Sequence, residues 1–293
     1  MGSINDSGFV IVTGANGHIG REVCRRLKTS ETRFLPVDVD PGTAKDVVTC
    51  DLRLENHVSR LFLSRPVRAV IHLAAILPSA FHSNPLAGVD VNLTGCFELM
   101  RQAVNAKVKR FVFASSMSVY GSFFTSRPLT EDEPAVPDEP YGASKRVVEL
   151  VGETLAGGDA IEFVSLRIAR VIGAGIKKTS SPWRSQIFEL SSGDDSIQIP
   201  FAPEAVLSLV HVEDVARMLV TLAETSKVPS SIYNTPVETW KVRHLKELVE
   251  EARGVRVELG RDGAHGGPTS DGSRFAGEFG FQLLGLRERL SAR

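Results

Sequence analysis

The alternation of apolar runs with amphipathic segments through the first 170 residues constrains the fold of this chain more than any other feature. The runs are FVIVTG from Phe9, RFLPVD from Arg33, AVIHLAA from Ala69, RFVFASS from Arg110 and EFVSLRI from Glu162. Near-continuous apolar strands separated by helices are typical of a parallel sheet that is covered on both faces. The sequence therefore predicts an α/β protein with a doubly wound, Rossmann-type parallel sheet.

A glycine motif follows the first apolar run directly. In VIVTGANGHIGREV, the residues Gly14, Gly17 and Gly20 stand between the predicted strand and the start of a helix. Gly14 permits the tight turn, Gly17 lets the backbone approach a pyrophosphate, and Gly20 allows the helix to pack closely on the sheet. In this context the motif predicts a dinucleotide site, rather than a glycine-rich turn without a ligand.

An acidic residue near the end of the second run bears on the choice of dinucleotide. Asp38 lies 18 residues beyond Gly20, close to the ~20 expected of a carboxylate that binds a ribose 2′-hydroxyl. A carboxylate at this place repels a 2′-phosphate, so the sequence favours NAD over NADP. Asp40 competes for this role, and we interpret it as a solvated turn residue.

Composition argues against several classes of partner. The 293 residues include 34 Lys+Arg and 35 Asp+Glu, which gives a net charge of -1 without a basic block, so we expect neither nucleic acid nor an anionic membrane as partner. The longest apolar run is less than half of what spans a bilayer, and no signal-peptide pattern opens the chain. Cys24, Cys50 and Cys96 form no CxxC and no metal-ligand cluster. We therefore expect a cytoplasmic protein with buried thiols and no metal.

Further motifs make the chain resemble the extended short-chain dehydrogenase/reductase family, in its NAD-dependent epimerase/dehydratase branch. Besides TGANGHIG and Asp38, the matching pieces are CDLR from Cys50, HLAA from His72, VNLTG from Val91, FASSMSVYG from Phe113, PYGASK from Pro140, SLRIARVIG from Ser165, LVHVEDVA from Leu209 and SDGSRFAGEFGF from Ser270. They occur in the family's order and run through almost the whole chain.

The resemblance implies a role for each matching residue. Its catalytic set is Ser116, Tyr141 and Lys145. Its cofactor contacts are Gly14, Asn16, Gly17, His18, Ile19, Gly20, Asp38, Asp51, Leu52, Leu73, Ala74, Ala75, Asn92, Ser115, Tyr141, Lys145 and Ile168. Asp51 and Leu52 are implied to border the adenine, and Asn92 to support the site from the helix behind. Structural alternatives stay open: Asp51 as a helix cap, Asn92 as a buried amide, and Ser116 as a strand-end hydroxyl.

Tyr141 and Lys145 stand four residues apart in PYGASK, so they share one helix face. An unperturbed phenol titrates near ~10, which is too high for a base at neutral pH. A lysine ammonium at ~4 Å, with an effective dielectric of ~20, contributes about 4 kcal/mol, or about three pKa units, and a positive nicotinamide ring acts in the same direction. We therefore expect a lowered pKa for Tyr141, which as phenolate takes a hydroxyl proton while Ser116 holds that oxygen. Lys145 is also expected to fix the nicotinamide ribose.

Departures from the family pattern narrow the reaction. Nucleotide-sugar dehydratases of this family have an Asp-Glu pair directly after the catalytic hydroxyl, whereas Met117 and Ser118 follow Ser116 here. This argues against dehydration and makes Ser116, Met117 and Ser118 candidate substrate contacts. What remains is redox or redox epimerisation at a secondary alcohol of a sugar or nucleotide sugar. The alternative is a dehydrogenase or ketoreductase of a sugar acid or tailoring intermediate.

Arg170 stands where the family's sugar-nucleotide enzymes usually have Asn. Its guanidinium fork suits a carboxylate or phosphate, so it favours an acidic substrate; pairing with a structural carboxylate such as Glu204 or Glu213 is the open alternative. Arg184 is a second candidate anion contact. Other residues of interest for the substrate are Lys177, Lys178, Trp183 and Arg261.

Domain organisation and assembly follow from the same patterns. We predict residues 1–172 as the NAD-binding core with the catalytic set, and 173–293 mainly as a small substrate-binding lobe, with 205–225 returning to the core sheet. By resemblance we expect a homodimer formed through the helices at 84–106 and 141–156.

A second class of function is a cofactor-sensing regulator that binds NAD without catalysis. Such proteins characteristically lose the tyrosine or the lysine, and this chain keeps both Tyr141 and Lys145. We interpret His72 and His211 as structural residues. The sequence therefore favours an enzyme over a regulator.

Overall fold

The computed structural model describes residues 8–43, 46–63, 65–122, 127–176, 181–190, 195–261 and 266–291. The strands are β1 Phe9–Thr13, β2 Phe34–Asp38, β3 Val48–Thr49, β4 Val67–His72, β5 Arg110–Ser116, β6 Glu162–Ile168, β7 Arg170–Ile172, β8 Ser196–Ile199, β9 Val206–His211, β10 Ile232–Asn234, β11 Glu238–Lys241 and β12 Arg256–Leu259. The helices are α1 His18–Thr29, α2 Glu55–Leu63, α3 Pro78–Ser83, α4 Pro85–Val89, α5 Cys96–Asn105, α6 Pro140–Gly157, α7 Trp183–Gln186, α8 Val212–Glu224, α9 Val242–Arg253, α10 Ser273–Phe279 and α11 Leu286–Ser291. A π-helical segment, Asp90–Gly95, joins α4 to α5, and a 3-10 turn, Met117–Tyr120, follows β5.

The central sheet has seven strands in the order β10-β6-β5-β4-β1-β2-β3. The pairs β1/β2, β1/β4, β2/β3 and β4/β5 are parallel. The order 3-2-1-4-5-6 within this sheet is that of the Rossmann fold, whose direction of winding reverses between β1 and β4. All five apolar runs became strands of this sheet, so the predicted fold class is confirmed. The short strands β3 and β10 were not predicted, because a strand of two or three residues is too short to show a periodic pattern.

Burial on both faces of the sheet explains why the strand sequences are almost wholly apolar. Val12 and Val112 flank Ile71 on neighbouring strands, and all three are fully buried. The next residues along, including Ile11 and Phe111, point to the opposite face and belong to the main hydrophobic core. Each fully buried aliphatic side chain stabilises the fold by about 1.5–3 kcal/mol, so alternation with polar residues is not tolerated here.

The chain divides into two compact units. Of the described residues, unit 1 takes those within 1–121, 135–167 and 216–233, and unit 2 those within 122–134, 168–215 and 234–293. Unit 1 contains most of the central sheet and the helices α1 to α6. The described part of the chain has no helix long and apolar enough to span a membrane.

Unit 2 is built on two small sheets. One has the order β11-β9-β7, with β9 antiparallel to β11 and parallel to β7; the other pairs β8 with β12 in parallel. Its core contains Trp183, Leu207 and Leu245.

Part of the domain prediction differs from the structure. Residues 205–225 were expected to return to the core sheet, but β9 pairs within the three-stranded sheet of unit 2, and it is residues 216–233 that belong to unit 1. The apolar run from Leu207 shows that a strand forms, but it carries no information about which strand becomes its neighbour.

Candidate active site

The glycine turn between β1 and α1 is closely packed. Gly14 has φ +68, and a Cβ there would lie 2.8 Å from the backbone nitrogen of Ala74, so only glycine fits without strain. A Cβ on Gly20 would lie 2.0 Å from the carbonyl oxygen of Gly14, which explains how α1 starts directly against the turn. Gly17 is exposed at the crest, where the first amides of α1 can reach an anion.

Asp38 is held beside this turn at the end of β2. Its carboxylate accepts hydrogen bonds from the backbone nitrogens of Asn16 (2.9 Å) and Asp40 (3.1 Å). The side-chain amide of Asn16 donates to the carbonyl oxygen of Asp40, which closes the loop. Asp40 itself is exposed, and its carboxylate accepts from the Gly42 nitrogen at 3.0 Å.

The segment after β4 is tied to β1 by Thr13, a residue that the sequence analysis missed. Its Oγ1 accepts from the backbone nitrogens of Leu73 (3.2 Å) and Ala74 (3.3 Å) and lies 2.7 Å from Nδ1 of His72. Burial, and then the charge of Lys145, lower the pKa of His72 to about 3, so its ring is neutral. The sequence signal for this role of Thr13 is a hydroxyl-bearing residue at the end of the apolar run, directly before Gly14. Leu73, Ala74 and Ala75 are half-buried.

Asn92 is buried in the π-helical segment and holds the same loop from behind. Its Oδ1 accepts from the backbone nitrogen of Ile76 (2.8 Å), and its Nδ2 donates to the carbonyl oxygen of Ile76 (3.0 Å). All of these groups belong to unit 1. Short π-helical segments inside α-helices are frequent at functional sites.

Ser116 and Tyr141 meet where β5 ends and α6 begins. Tyr141 lies in the first turn of α6 and forms a side-chain hydrogen bond with Ser116. A Cβ on Gly142 would lie 2.3 Å from the carbonyl oxygen of Ser118, so the start of α6 contacts the 3-10 turn through a bare glycine backbone. Oγ of Ser116 also accepts from the nitrogen of Ser118 at 3.1 Å. Met117, in the same turn, is buried.

The pKa of Tyr141 is opposite to the sequence-based expectation. Burial, and then the charge of Glu139, raise the pKa of Tyr141 to about 12, although the hydrogen bond with Ser116 acts to lower it. Nζ of Lys145 lies 5.7 Å from the centroid of the Tyr141 ring and donates to the carbonyl oxygen of Ala114 at 2.8 Å. Desolvation of the phenol is therefore the largest effect on the pKa of Tyr141. Burial also lowers the pKa of Lys145 to about 8, although the charge of Glu149 acts to raise it.

A buried ionic network lies one helical turn beyond Lys145, and the sequence analysis missed it. The carboxylate of Glu149 accepts from Oγ of Ser115 (2.6 Å), from Nε and Nη2 of Arg167 (2.9 and 2.8 Å) and from Nη1 of Arg146 (3.0 Å). Burial raises the pKa of Glu149, but these donors hold it below its usual range. The signal was a glutamate on a helix face that otherwise carries only buried residues. The sequence analysis expected Ser115 to contact the cofactor. In the structure the hydroxyl of Ser115 donates its hydrogen bond to the carboxylate of Glu149.

Asp51 and Leu52, implied to border the adenine, lie in unit 1 with different surroundings. Arg53 donates to both carboxylate oxygens of Asp51 at 2.6 to 3.1 Å, and these hydrogen bonds lower the pKa of Asp51. Leu52 is buried in the core. A Cβ added to Gly95 would lie 2.9 Å from the Cβ of Leu52.

The remaining candidates belong to unit 2. Ile168 is buried at the end of β6, Arg170 opens β7, and Arg184 lies in α7. Trp183 is 1% exposed and meets the edge of Phe201, so it is a core residue and not a stacking surface. Arg261 is exposed. Lys177 and Lys178 lie outside the described residues.

No group of three or more His, Cys, Asp or Glu in the described part of the chain could hold a metal ion. Cys24, Cys50 and Cys96 are free thiols. Burial raises the pKa of Cys24 and Cys96 to about 12 and that of Cys50 to about 11, so at neutral pH they are protonated and unreactive.

These features fit a dinucleotide. The glycine turn leaves no room for a Cβ at Gly14 or Gly20, and the amides at the start of α1 suit a pyrophosphate. The carboxylate of Asp38 is fixed next to that turn, where it suits a ribose hydroxyl. The fold and this site together define a Rossmann-type dinucleotide-binding protein.

Comparison with known proteins identifies the family. The chain matches the NAD dependent epimerase/dehydratase family over residues 10–235 and belongs to that family. This confirms the resemblance seen in the sequence, and NAD as its cofactor. UDP-glucose 4-epimerase of Lactobacillus helveticus is 33% identical over 176 residues, which are 56% of this chain and 52% of that protein. The chain thus spans about half the length of that relative.

Solved structures agree in fold along almost the whole chain. MoeE5, determined in complex with UDP-glucuronic acid and NAD, is 27% identical with a TM-score of 0.83, and the match covers 98% of this chain and 97% of that one. MoeE5 has also been determined with UDP-glucose and NAD. L-threonine 3-dehydrogenase from Trypanosoma brucei has a TM-score of 0.85 at 20% identity, covering 98% and 95% of the two chains, and shows likeness of fold alone.

Proposed function

We propose that this chain is an NAD-dependent epimerase of the UDP-glucose 4-epimerase type, which acts at a secondary alcohol of a nucleotide sugar. The observation that carries the proposal is the grouping of Ser116, Tyr141 and Lys145 around the end of β5 and the first turns of α6. They lie in the same unit as the glycine turn and Asp38. A cofactor site and a proton-exchanging phenol in one unit suit hydride chemistry.

The residues of the set have distinct tasks in this proposal. NAD, when bound, supplies the acceptor and donor of hydride. Tyr141, with a pKa of about 12, is a phenol at neutral pH and is ready to donate a proton to a carbonyl oxygen. The phenolate needed for the reverse transfer is favoured by the charge of Lys145, which is largely protonated at neutral pH, and by the N-terminal end of α6. Ser116 donates to the same substrate oxygen.

The relatives support the substrate class. Two UDP-glucose 4-epimerases align with this chain over about half of their own length. The structure of MoeE5 has been determined with two UDP-sugars and NAD. Met117 and Ser118 follow Ser116 in this chain, and the Asp-Glu pair of the dehydratases is missing. We therefore propose epimerisation and not dehydration.

A second candidate is an NAD-dependent dehydrogenase or ketoreductase of a sugar acid. The observation that favours it is Arg170, whose guanidinium has no carboxylate partner among the described residues. An arginine of this kind suits an acidic substrate. The two candidates share Ser116, Tyr141 and Lys145 and differ in whether NADH leaves the protein between the two hydride transfers.

One experiment separates these candidates. Purified protein is incubated with NAD and UDP-, TDP- and GDP-sugars, free sugars and sugar acids, while NMR follows product stereochemistry and absorbance follows NADH. We expect a new stereoisomer without accumulated NADH. Accumulated NADH with loss of the substrate carbinol proton identifies the dehydrogenase instead. NAD binding without turnover of any compound contradicts both and revives the regulator. A Tyr141→Phe preparation reports the background.

A further inference from the structure

Arg167, near the end of β6, binds two buried side chains at once. Its Nε and Nη2 donate to the carboxylate of Glu149, and its Nη1 donates to the hydroxyl oxygen of Tyr120 at 2.7 Å. Glu149 and Tyr120 are 0% exposed, and Arg167 is 2% exposed. Because a guanidinium is planar and its donors point in fixed directions, Arg167 fixes its two acceptors relative to each other.

The segment that carries Ser116 is tied to this ion pair at both of its ends. Ser115 directly precedes Ser116 and donates from Oγ to Oε1 of Glu149 at 2.6 Å. Tyr120 ends the 3-10 turn that follows Ser116, and its hydroxyl accepts from Arg167. The Glu149–Arg167 pair therefore holds Ser116 from the side of β5 and from the side of the turn.

The same ion pair belongs to the helix that carries the phenol. Tyr141, Lys145 and Glu149 follow one another at intervals of four residues in α6, and all three are buried. Residues at this spacing share one helix face. Since Tyr141 forms a hydrogen bond with Ser116, both partners of that bond are anchored to the Glu149–Arg167 pair. All of these residues lie in unit 1.

The hydrogen bond between Ser116 and Tyr141 is sensitive to small movements of either element. A hydrogen bond weakens steeply as its angle departs from a straight line, and a misplacement of about 1 Å at a reacting group costs about 100-fold in rate. Ser115 binds a carboxylate and Tyr120 binds a guanidinium, and hydrogen bonds to charged groups are stronger than those between neutral groups. These two contacts are therefore suited to fix Ser116 before a substrate binds.

We propose that Ser115 and Tyr120 are positioning residues, which act through the Glu149–Arg167 pair to align Ser116 with Tyr141. Neither residue needs to touch the substrate in this role. The inference rests on the proposed function for its effect on turnover, and on the buried hydrogen bonds for the alignment itself.

The test compares Ser115→Ala with Ser165→Ala, a closely matched control. Oγ of Ser165 donates to the same Oε1 of Glu149, at 3.2 Å from β6, and Ser165 is 0% exposed against 3% for Ser115. Each variant leaves the carboxylate with one hydroxyl donor fewer, but only Ser115 adjoins Ser116. We expect kcat to fall about 10- to 100-fold in Ser115→Ala with KM within about twofold, and Ser165→Ala to keep the natural kcat. Near-ultraviolet circular dichroism checks the fold of both.

Tyr120→Phe tests the other contact. The substitution keeps the buried ring and removes only the hydroxyl that accepts from Arg167. We expect kcat to fall in the same direction as in Ser115→Ala, with the affinity for NAD unchanged.

A second readout needs no substrate. The chain has three tyrosines, so tyrosine labelled with ¹³C at Cζ gives three NMR signals, which Tyr→Phe variants assign. The Cζ signal reports the hydrogen bond of the phenol. We expect the Tyr141 signal to move in Ser115→Ala and in Tyr120→Phe, and to stay in place in Ser165→Ala.

The outcomes separate alignment from stability and from cofactor binding. Equal falls of kcat in Ser115→Ala and Ser165→Ala would show that a lost donor to Glu149 acts through stability alone, and would overturn the proposal. A Ser115→Ala protein that loses affinity for NAD and keeps its kcat would assign Ser115 to the cofactor, and would overturn it as well. So would a Tyr141 signal that stays in place in both Ser115→Ala and Tyr120→Phe.

The two readouts also keep this inference apart from the proposed function. If the natural protein turns over no substrate, the proposed function fails, and the tyrosine signals alone decide the alignment. If the natural protein turns over a nucleotide sugar and both Ser115→Ala and Tyr120→Phe keep its kcat, the positioning role fails and the proposed function stands.

Discussion

Arg167 donates two hydrogen bonds to the carboxylate of Glu149, from Nε at 2.9 Å and from Nη2 at 2.8 Å. Their side chains are 2% and 0% exposed. The pair joins α6, which carries Tyr141 and Lys145, to β6, and the hydroxyl of Ser115 joins the same carboxylate to β5. The position of the candidate catalytic helix therefore depends on a buried ion pair that lies behind it.

Glu149→Gln should destabilise the protein strongly. The substitution leaves Arg167 buried without its counter-charge, and breaking a buried pair in this way costs about 3–5 kcal/mol. Urea unfolding measures the loss. Glu153→Gln is the control on the same helix, because Glu153 is 34% exposed and lies 3.9 Å from Arg146; it should cost less than about 1 kcal/mol. Equal losses for the two variants would contradict the structural role of the pair.

Tyr141→Phe should remove turnover while it leaves NAD binding intact. The ring keeps its packing, but no group remains to exchange the substrate proton, and general acid–base catalysis contributes about 10²- to 10⁴-fold. The measurement is kcat with the substrate found by NMR, together with a titration of NAD. Tyr233→Phe is the matched control, since Tyr233 is also buried and its hydroxyl accepts a hydrogen bond from the backbone nitrogen of Ser230 at 3.0 Å. Near-full turnover in Tyr141→Phe would overturn the assignment.

Gly142→Ala should lower both stability and turnover. The added Cβ would lie 2.3 Å from the carbonyl oxygen of Ser118 and would push α6 away from the 3-10 turn that follows Ser116. Overpacking of this kind costs about 1–3 kcal/mol, which thermal unfolding can detect. Gly157→Ala, in the same helix with nothing within 4 Å of the new Cβ, should be neutral or slightly stabilising. A Gly142→Ala protein as stable and active as Gly157→Ala would show that the close approach is unimportant.

His72 should make stability depend on pH in the acid range. An unfolded histidine titrates near 6.5, whereas the pKa of His72 is lowered to about 3. Between these two pH values only the unfolded chain binds the proton. The contribution of His72 to the free energy of unfolding is therefore complete above pH 6.5 and falls as the pH decreases towards 3. In His72→Asn, the slope of the unfolding free energy against pH should decrease by up to about 1.4 kcal/mol per unit. Chemical unfolding at stepped pH measures the slope, and a slope in His72→Asn equal to that of the natural protein would contradict the prediction.

A homodimer is expected through α4 and α6. Leu86 (77% exposed) and Val89 (40%) on α4, and Val147 (40%), Leu150 (48%) and Val151 (36%) on α6, are exposed large apolar residues of unit 1, and such faces mark protein contacts. Light scattering after gel filtration should give a dimer for the natural chain and a folded monomer for Leu150→Arg. Leu63→Arg, at a position 79% exposed on α2, should stay dimeric. A monomeric natural chain at micromolar concentration would reject the expectation.

Local sequence was sufficient for five strands of the central sheet and for the glycine turn between β1 and α1. Five apolar runs predicted five strands because a strand buried on both faces has no polar positions to spare. Gly14 and Gly20 could be assigned because only a residue without Cβ fits a left-handed turn or a helix that touches it. These features depend on neighbours within a few residues, so the sequence by itself determined them.

Contacts between distant residues were decided by the tertiary structure. Glu149 and Arg167 are 18 positions apart, and nothing local tells that both become buried and face each other. The pKa of Tyr141 was expected to fall because Lys145 was assumed close, yet burial and Glu139 raise it. The strand that pairs with β9 was likewise decided by the packing of distant segments. Desolvation and pairing are properties of the packed chain, because each depends on which distant groups replace water around a side chain.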